Sequence, residues 1–299
     1  MIVPLPYLLA KAQEGGYALG YFEAWDSYSL EAVIEAAEAE NAPVILGFGC
    51  MMVDKTWLDR GGIETLGNLG REFAERTRMP VALLLNETHT YQECLAGIQA
   101  GFNALMLDTS AWQIEPAIEQ VSELVRVAHS QDVAVEAELG HLPDATEQGI
   151  DVSLASLTDP EDAASFVERT GIDCLAVSIG NVHLLTHDLA RIDLTRLLAI
   201  HEHISLPLVI HGGTGFPPEA VHKAIHYGVA KFNVGTILKK TFFAGICESV
   251  LALNGSANVH HVLGSHGERD YLIGGKRSMQ AKVQEFLQLY GSYGQARGM

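Results

Sequence analysis

Residues 206–237 read LPLVIHGGTGFPPEAVHKAIHYGVAKFNVGTI, and the reading of this stretch sets the reading of the chain. Leu208–Ile210 is a short apolar run bounded by turn residues, as a buried strand is. A Gly-rich turn follows, and Pro218 sits where a first-turn proline opens a helix, here over Pro218–Tyr227. Lys231–Val234 is then the next strand. Working outward, the same strand-then-helix unit recurs. Strands are predicted at Ala18–Phe22, Val44–Phe48, Val81–Leu85, Ala104–Leu107, Val133–Ala137 and Cys174–Ile179. Helical periodicity falls between them, at Ser29–Glu40, Gly62–Arg76, Tyr91–Ala100, Ile114–Ala128, Pro160–Thr170, Leu194–His203 and Ile237–Leu253. Asp159-Pro160-Glu161 carries an N-cap and first-turn acid, and Gly101 and Gly171 stand where C-terminal caps do.

Eight such units within ~250 residues predict an α/β fold, the (β/α)8 TIM barrel. A doubly wound sheet is disfavoured because no GxGxxG follows the first strand. No linker or low-complexity stretch divides residues 1–299, so one barrel domain is expected. Residues from about 254 form a C-terminal helical extension, loop-like over Ser265–Gly275 and helical over Met279–Leu289.

Of the 299 residues, 48% are apolar, enough for a large core, and 19 Lys plus Arg face 37 Asp plus Glu. The net charge of −18 argues against binding to nucleic acid or an anionic membrane. No apolar run reaches the ~20 residues of a membrane span. The opening MIVPLPYLLAKAQEGG lacks the basic start and cleavage site of a signal peptide. Cys50, Cys94, Cys174 and Cys247 lie far apart and read as buried thiols, so a cytoplasmic protein is expected.

In a barrel of this type the chemistry lies at the C-terminal ends of the strands. Glu23, Asn86, Glu87, His89, Asp108, Glu138, His183, His211 and Asn233 all fall at or just past those ends. His183 and His211 each follow an apolar run. Either alone reads more readily as a hydrogen-bonded core or lip histidine than as a ligand. Together, on consecutive strand ends, they suit a zinc with one position left open. His129, His201, His203, His222 and His226 read as surface residues without a role. His211–Gly215 would present successive backbone N–H groups to an anion, next to the start of a helix. Asn233–Thr236 ends the next strand, where barrels often hold phosphate, and Lys231 and Lys239 lie near it. Trp25, Met51, Met52 and Trp57 follow the first two strands and read as packing residues, with the lining of a less charged pocket as the alternative.

The stretches GFNALMLD (101–108), VEAELG (135–140), TDPE (158–161), TGID (170–173), HGGTG (211–215) and KFNV (231–234) occur in this order. With them the chain resembles the zinc-dependent class II ketose-bisphosphate aldolases from about Ala18 to about Phe242. The resemblance implies a carbon–carbon lyase, usually oligomeric. It makes His183 and His211 zinc ligands, Asn233 a substrate contact, and Gly212, Gly213, Thr214 and Thr236 phosphate contacts. Lys239 stands where many members carry an Arg for the distal phosphate.

The departures lie in the same pocket. Where the family reads Leu-Asp-His-Gly after the third strand, this chain reads Leu85-Asn86-Glu87-Thr88, followed by His89. Asn86 cannot exchange a proton as a carboxylate does. Glu87 can replace the zinc-binding His, with His89 a rival ligand or base. The acid/base candidates are then Glu87, His89 and Glu23. Asp108 and Glu138 are placed around the metal or at an alternate metal position. Glu23-Ala24-Trp25-Asp26 replaces the family's Asn-rich run, Leu184 a Gly, His187 a phosphate-binding Lys and Gly235 an Asp. The expectation is one zinc per chain, acting as a Lewis acid on a ketose phosphate or related sugar other than fructose 1,6-bisphosphate. An epimerase or isomerase using the same chemistry, or a non-catalytic sugar-phosphate-binding relative, are the alternatives.

Overall fold

The computed structural model describes all residues except 147–148, 152–155, 186–187 and 254–257. Among the described residues, eight parallel strands close into a barrel. They are β1 (Leu19–Glu23), β2 (Val44–Gly49), β3 (Val81–Thr88), β4 (Ala104–Leu107), β5 (Ala134–Leu139), β6 (Cys174–Val177), β7 (Leu208–Ile210) and β8 (Val229–Val234). Each pairs with the next in sequence, and β1 closes on β8 with Leu19 opposite Lys231. All eight predicted strands are present, with ends shifted by up to three residues.

The first helix, α1 (Leu5–Gly15), precedes the barrel. The helices that follow the strands are α2 (Ser27–Glu40), α3 (Ile63–Arg76), α4 (Tyr91–Gln99) and α5 (Ile114–His129), then α6 (Pro160–Thr170), α7 (Leu194–His203), α8 (Pro218–His226) and α9 (Thr236–Leu251). The last, α10 (Tyr271–Leu289), packs against α2 and α9. Tyr271–Gly275 is therefore helical rather than loop-like, because Asp270 caps the Leu272 N–H and starts the helix early. The C-terminal segment is tied to the barrel: the Tyr290 ring stacks on Phe232 at 4.6 Å, and Ala18 N–H donates to the Tyr290 carbonyl.

Strand residues alternate between two apolar environments. Phe22, Leu46, Leu83, Leu105 and Phe232 face outward into the layer beneath the helices. Leu19, Tyr21, Ile45, Ala82, Leu84, Ala134 and Val209 fill the interior. At the N-terminal end that interior is plugged by α1, whose Leu5, Leu8, Leu9 and Ala12 are fully buried in the same cluster. Backbone bonds between Met1, Val3 and Val81 fix the segment before α1 to the start of β3. No described helix is long and apolar enough to cross a membrane. Cys50, Cys94 and Cys174 are buried as expected, whereas Cys247 on α9 is only half-buried.

Candidate metal and substrate site

The third strand decides the composition of the site. Its register against β4 shifts between Leu85 and Thr88, and Glu87 has φ +54°, a left-handed conformation rare for a non-glycine residue. This breaks the alternation of the strand. Asn86 and Glu87 consequently both face a cavity of about 230 Å³ at the C-terminal end of the barrel. His89 does not share it. The His89 N–H donates to Glu93, whose carboxylate also closes the capping box of α4, and the His89 ring nitrogen Nε2 lies 3.1 Å from the Cys50 carbonyl. The expectation that Glu87 and His89 would lie on one face fails because the chain between them is not extended.

His183 reaches the cavity from the loop after β6. It is held by its own backbone, with its N–H donating to Pro143 and its carbonyl accepting from Ala145. His211 extends β7. One donor atom from each of Glu87, His183 and His211 lies within 4.8 Å of the others. His211 Nε2 lies 2.8 Å from Glu136 Oε1, a buried pairing that fixes the ring. Its Nδ1 faces Glu87 at 3.3 Å and Glu138 at 3.2 Å, yet is buried with no aligned hydrogen-bond partner. A buried ring nitrogen without a partner, aimed at a carboxylate and a second imidazole, fits a bound cation. The carboxylate on the far side of the ring supplies the outer support that metal-bound histidines usually have.

The protonation states follow from burial and charge. Burial disfavours the His183 imidazolium and lowers its pKa, leaving a neutral ring with a lone pair to give. Burial would lower His211 too, but its bond to Glu136 and the proximity of Glu87 and Glu138 prevail and raise it to about 10, so a cation held at Nδ1 would take the place of that nitrogen's proton. Burial works against ionised Glu87 as well, and the neighbouring His211 and His183 outweigh it, so this carboxyl stays ionised. Glu138 goes the other way. Burial, reinforced by Glu87, Asp108 and Glu136 and only partly offset by His211, pushes it up to about 8.

Glu136 was not singled out by sequence, although alternation along β5 places 134, 136 and 138 on one face. It lies a layer deeper than Glu138 and is fully buried. Lys231 Nζ donates to Glu136 Oε2 at 2.6 Å and to Asn233 Oδ1 at 2.6 Å. Lys231 is thus internal support, not a surface charge beside the phosphate loop. Burial would raise the Glu136 carboxyl, but the Lys231 charge and the His211 bond hold it down at about 2.

The rest of the cavity wall combines the other predicted residues. Gly212 has φ +66°, and a Cβ there would lie 2.2 Å from the Val182 carbonyl, so the turn after β7 requires glycine. Gly212, Thr214, Asn233, Thr236 and Lys239 line the cavity, while Gly213 is buried behind them against the Asn233 carbonyl. Thr214 Oγ1 accepts from Ile237 N–H, joining the loop to the first turn of α9, whose N-terminus has no side-chain cap. Asn233 Nδ2 and Asn86 Oδ1 are buried and unpartnered. Met51 and Met52 also line this cavity, so they border the site. Trp25 instead packs edge-on against Phe242. Glu23 lines the cavity and accepts from Lys239 at 2.5 Å. Burial lifts the Glu23 carboxyl, and Lys239 partly offsets that. Asp108 and Glu138 border an adjoining cavity of about 210 Å³ that shares Glu87 and His183. His187 lies outside the described residues.

The fold has counterparts among known proteins. Residues 3–295 match the family model for class II fructose-bisphosphate aldolase. The structure of the YdjI aldolase from Escherichia coli K12 superposes with a TM-score of 0.81 at 28% identity, covering 99% of this chain and all of that one. A proposed fructose-1,6-bisphosphate aldolase from Coccidioides immitis superposes with a TM-score of 0.81 at 26% identity over 99% of this chain and 98% of the other. A fructose-bisphosphate aldolase from Campylobacter jejuni, at 21% identity and a TM-score of 0.75 over 98% of this chain and 97% of its own, shares the fold. A barrel with this strand-end constellation, matched by the family over nearly its whole length, places the chain in the class II fructose-bisphosphate aldolase family, as a carbon–carbon lyase of the aldolase type.

Proposed function

We propose that this lyase is zinc-dependent and cleaves a ketose phosphate, or a closely related sugar, by retro-aldol chemistry. The observation that supports this most directly is the convergence of Glu87, His183 and His211 on one edge of the cavity. These three residues would hold one zinc per chain, with Glu87 in the role a third histidine has in the resembling family. When bound, zinc supplies Lewis acidity toward the sugar's carbonyl.

The chain's own residues would do the rest. The Gly212–Thr214 loop and Thr236 present donors to one phosphate, beside the positive end of the α9 dipole. Asn233 Nδ2 and Asn86 Oδ1 meet sugar hydroxyls as a donor and an acceptor. The proton of the departing hydroxyl falls to a carboxylate, because Asn86 cannot take it. Glu87 and Glu23 both line the cavity. In Glu23, Lys239 engages Oε1 and leaves Oε2 beside Gly235. His89 is too far off the cavity wall to serve without a change of backbone. A homo-oligomeric, cytoplasmic enzyme accords with this reading.

Metal content of untagged protein purified without chelator, followed by a ketose-phosphate panel, tests it. About one zinc per chain and release of a free aldehyde are expected, both lost in His211→Ala. Zinc with sugar turnover but no free aldehyde would replace the lyase by an epimerase. No bound zinc, even after zinc is supplied, would overturn the proposal.

A further inference from the structure

The end of the cavity formed by β1 and α9 has an unusual composition. Glu23 projects from the end of β1 into a slot between two glycines. A Cβ on Gly49 would lie 3.4 Å from the Glu23 carboxyl carbon, and one on Gly235 would lie 2.2 Å from Oε2. A side chain at 235 could therefore not coexist with this Glu23 rotamer. Lys239, one turn into α9, closes the slot by donating to Oε1, with its ammonium 5.8 Å from the centre of the Trp25 ring. Among the described residues lining this cavity, Lys239 is the only Lys or Arg. Its charge is already met by Glu23.

Phosphate carries close to two negative charges at neutral pH. Placed within reach of Lys239, it would also lie against the Glu23 carboxylate, which repels it at short range. A hydroxyl meets no such penalty. It can donate to Glu23 and accept from Lys239. We propose that Glu23 and Lys239 form a charge-neutral wall that accepts a hydroxyl-bearing sugar end and rejects a second phosphate, so that the substrate is a ketose with a single phosphate. The placement of that one phosphate at the Gly212–Thr214 loop rests on the function proposed above. The wall itself rests only on the Glu23 slot and its lysine.

Counting inorganic phosphate sites by equilibrium titration separates the two. Glu23→Gln frees the Lys239 ammonium and is expected to gain one phosphate per chain over the unsubstituted protein. Glu23→Ala should gain the same site, and adding Lys239→Met should remove it. In parallel, the ratio of the dissociation constants of fructose 1,6-bisphosphate and fructose 1-phosphate should fall tenfold or more in Glu23→Gln. No gained phosphate in either Glu23 variant, with circular dichroism unchanged, overturns the wall. So does bisphosphate binding the unsubstituted protein as tightly as the monophosphate. Failure of both sugars to bind would instead overturn the ketose-phosphate reading, and the phosphate count would still decide the wall.

Discussion

At the N-terminal end of the barrel the interior is closed by Leu5, Leu8, Leu9 and Ala12 of α1, in one apolar cluster with Ile45, Leu84 and Val209. At the other end the same interior carries Glu136, Lys231 and His211, each 1% exposed or less. Both ends are dry, but they are held by different forces. The apolar end gains from every buried methylene. In the charged end, desolvation offsets most of the attraction between partners, so its members matter through what each would cost if left alone. The apolar plug serves stability, and the charged layer sets the orientation of His211.

The sharpest way to break this contrast is Glu136→Gln. It leaves the Lys231 ammonium buried beside an amide, and breaking a buried pair in this way costs about 3–5 kcal/mol. It also removes the carboxylate behind His211, which should weaken zinc binding by ~10–100-fold. Chemical denaturation and competition with a zinc indicator measure the two effects. The ionised Glu136 contributes fully above its unfolded pKa of 4.5, and this contribution is lost as pH falls toward about 2. The variant should therefore lose less stability than the parent over that window. Unchanged zinc affinity would detach the charged layer from the metal site.

Leu8→Ala probes the opposite end. Removing a fully buried leucine from the plug should cost about 2–5 kcal/mol through lost burial and the cavity left behind. Zinc content and KM should stay at parental values in the protein that remains folded. A changed KM would show that the two ends are mechanically coupled, and the contrast would fail.

The ends also differ in how legible they were. The barrel was readable because eight apolar runs alternate with helical periods, and the meeting of His183 and His211 at one cavity because each polar ring follows such a run. The plug was not recognised, although Leu5, Leu8, Leu9 and Ala12 follow the i, i+3, i+4, i+7 pattern of a helix face. In β5, alternation pointed Glu136 inward, but depth along the strand is a property of the closed barrel, so the acid nearer the strand end was chosen. Glu23 and Gly235 lie 212 positions apart, and their exchange of space is visible only once β1 and β8 are paired.

The smallest effect belongs to the residue on which periodicity misled. An extended β3 would place His89 beside Glu87, as a rival ligand. The left-handed backbone at Glu87 and the α4 capping box turn His89 outward, where it is exposed and, among the described residues, its ring meets only a backbone carbonyl. His89→Ala should then leave the zinc stoichiometry at the parental value and change stability by no more than about 0.5 kcal/mol, as exposed substitutions do. Glu87→Ala, two positions away, should lose the metal. If His89→Ala lost zinc while Glu87→Ala kept it, the bulge in β3 would have to be straightened and the metal group rebuilt around three histidines.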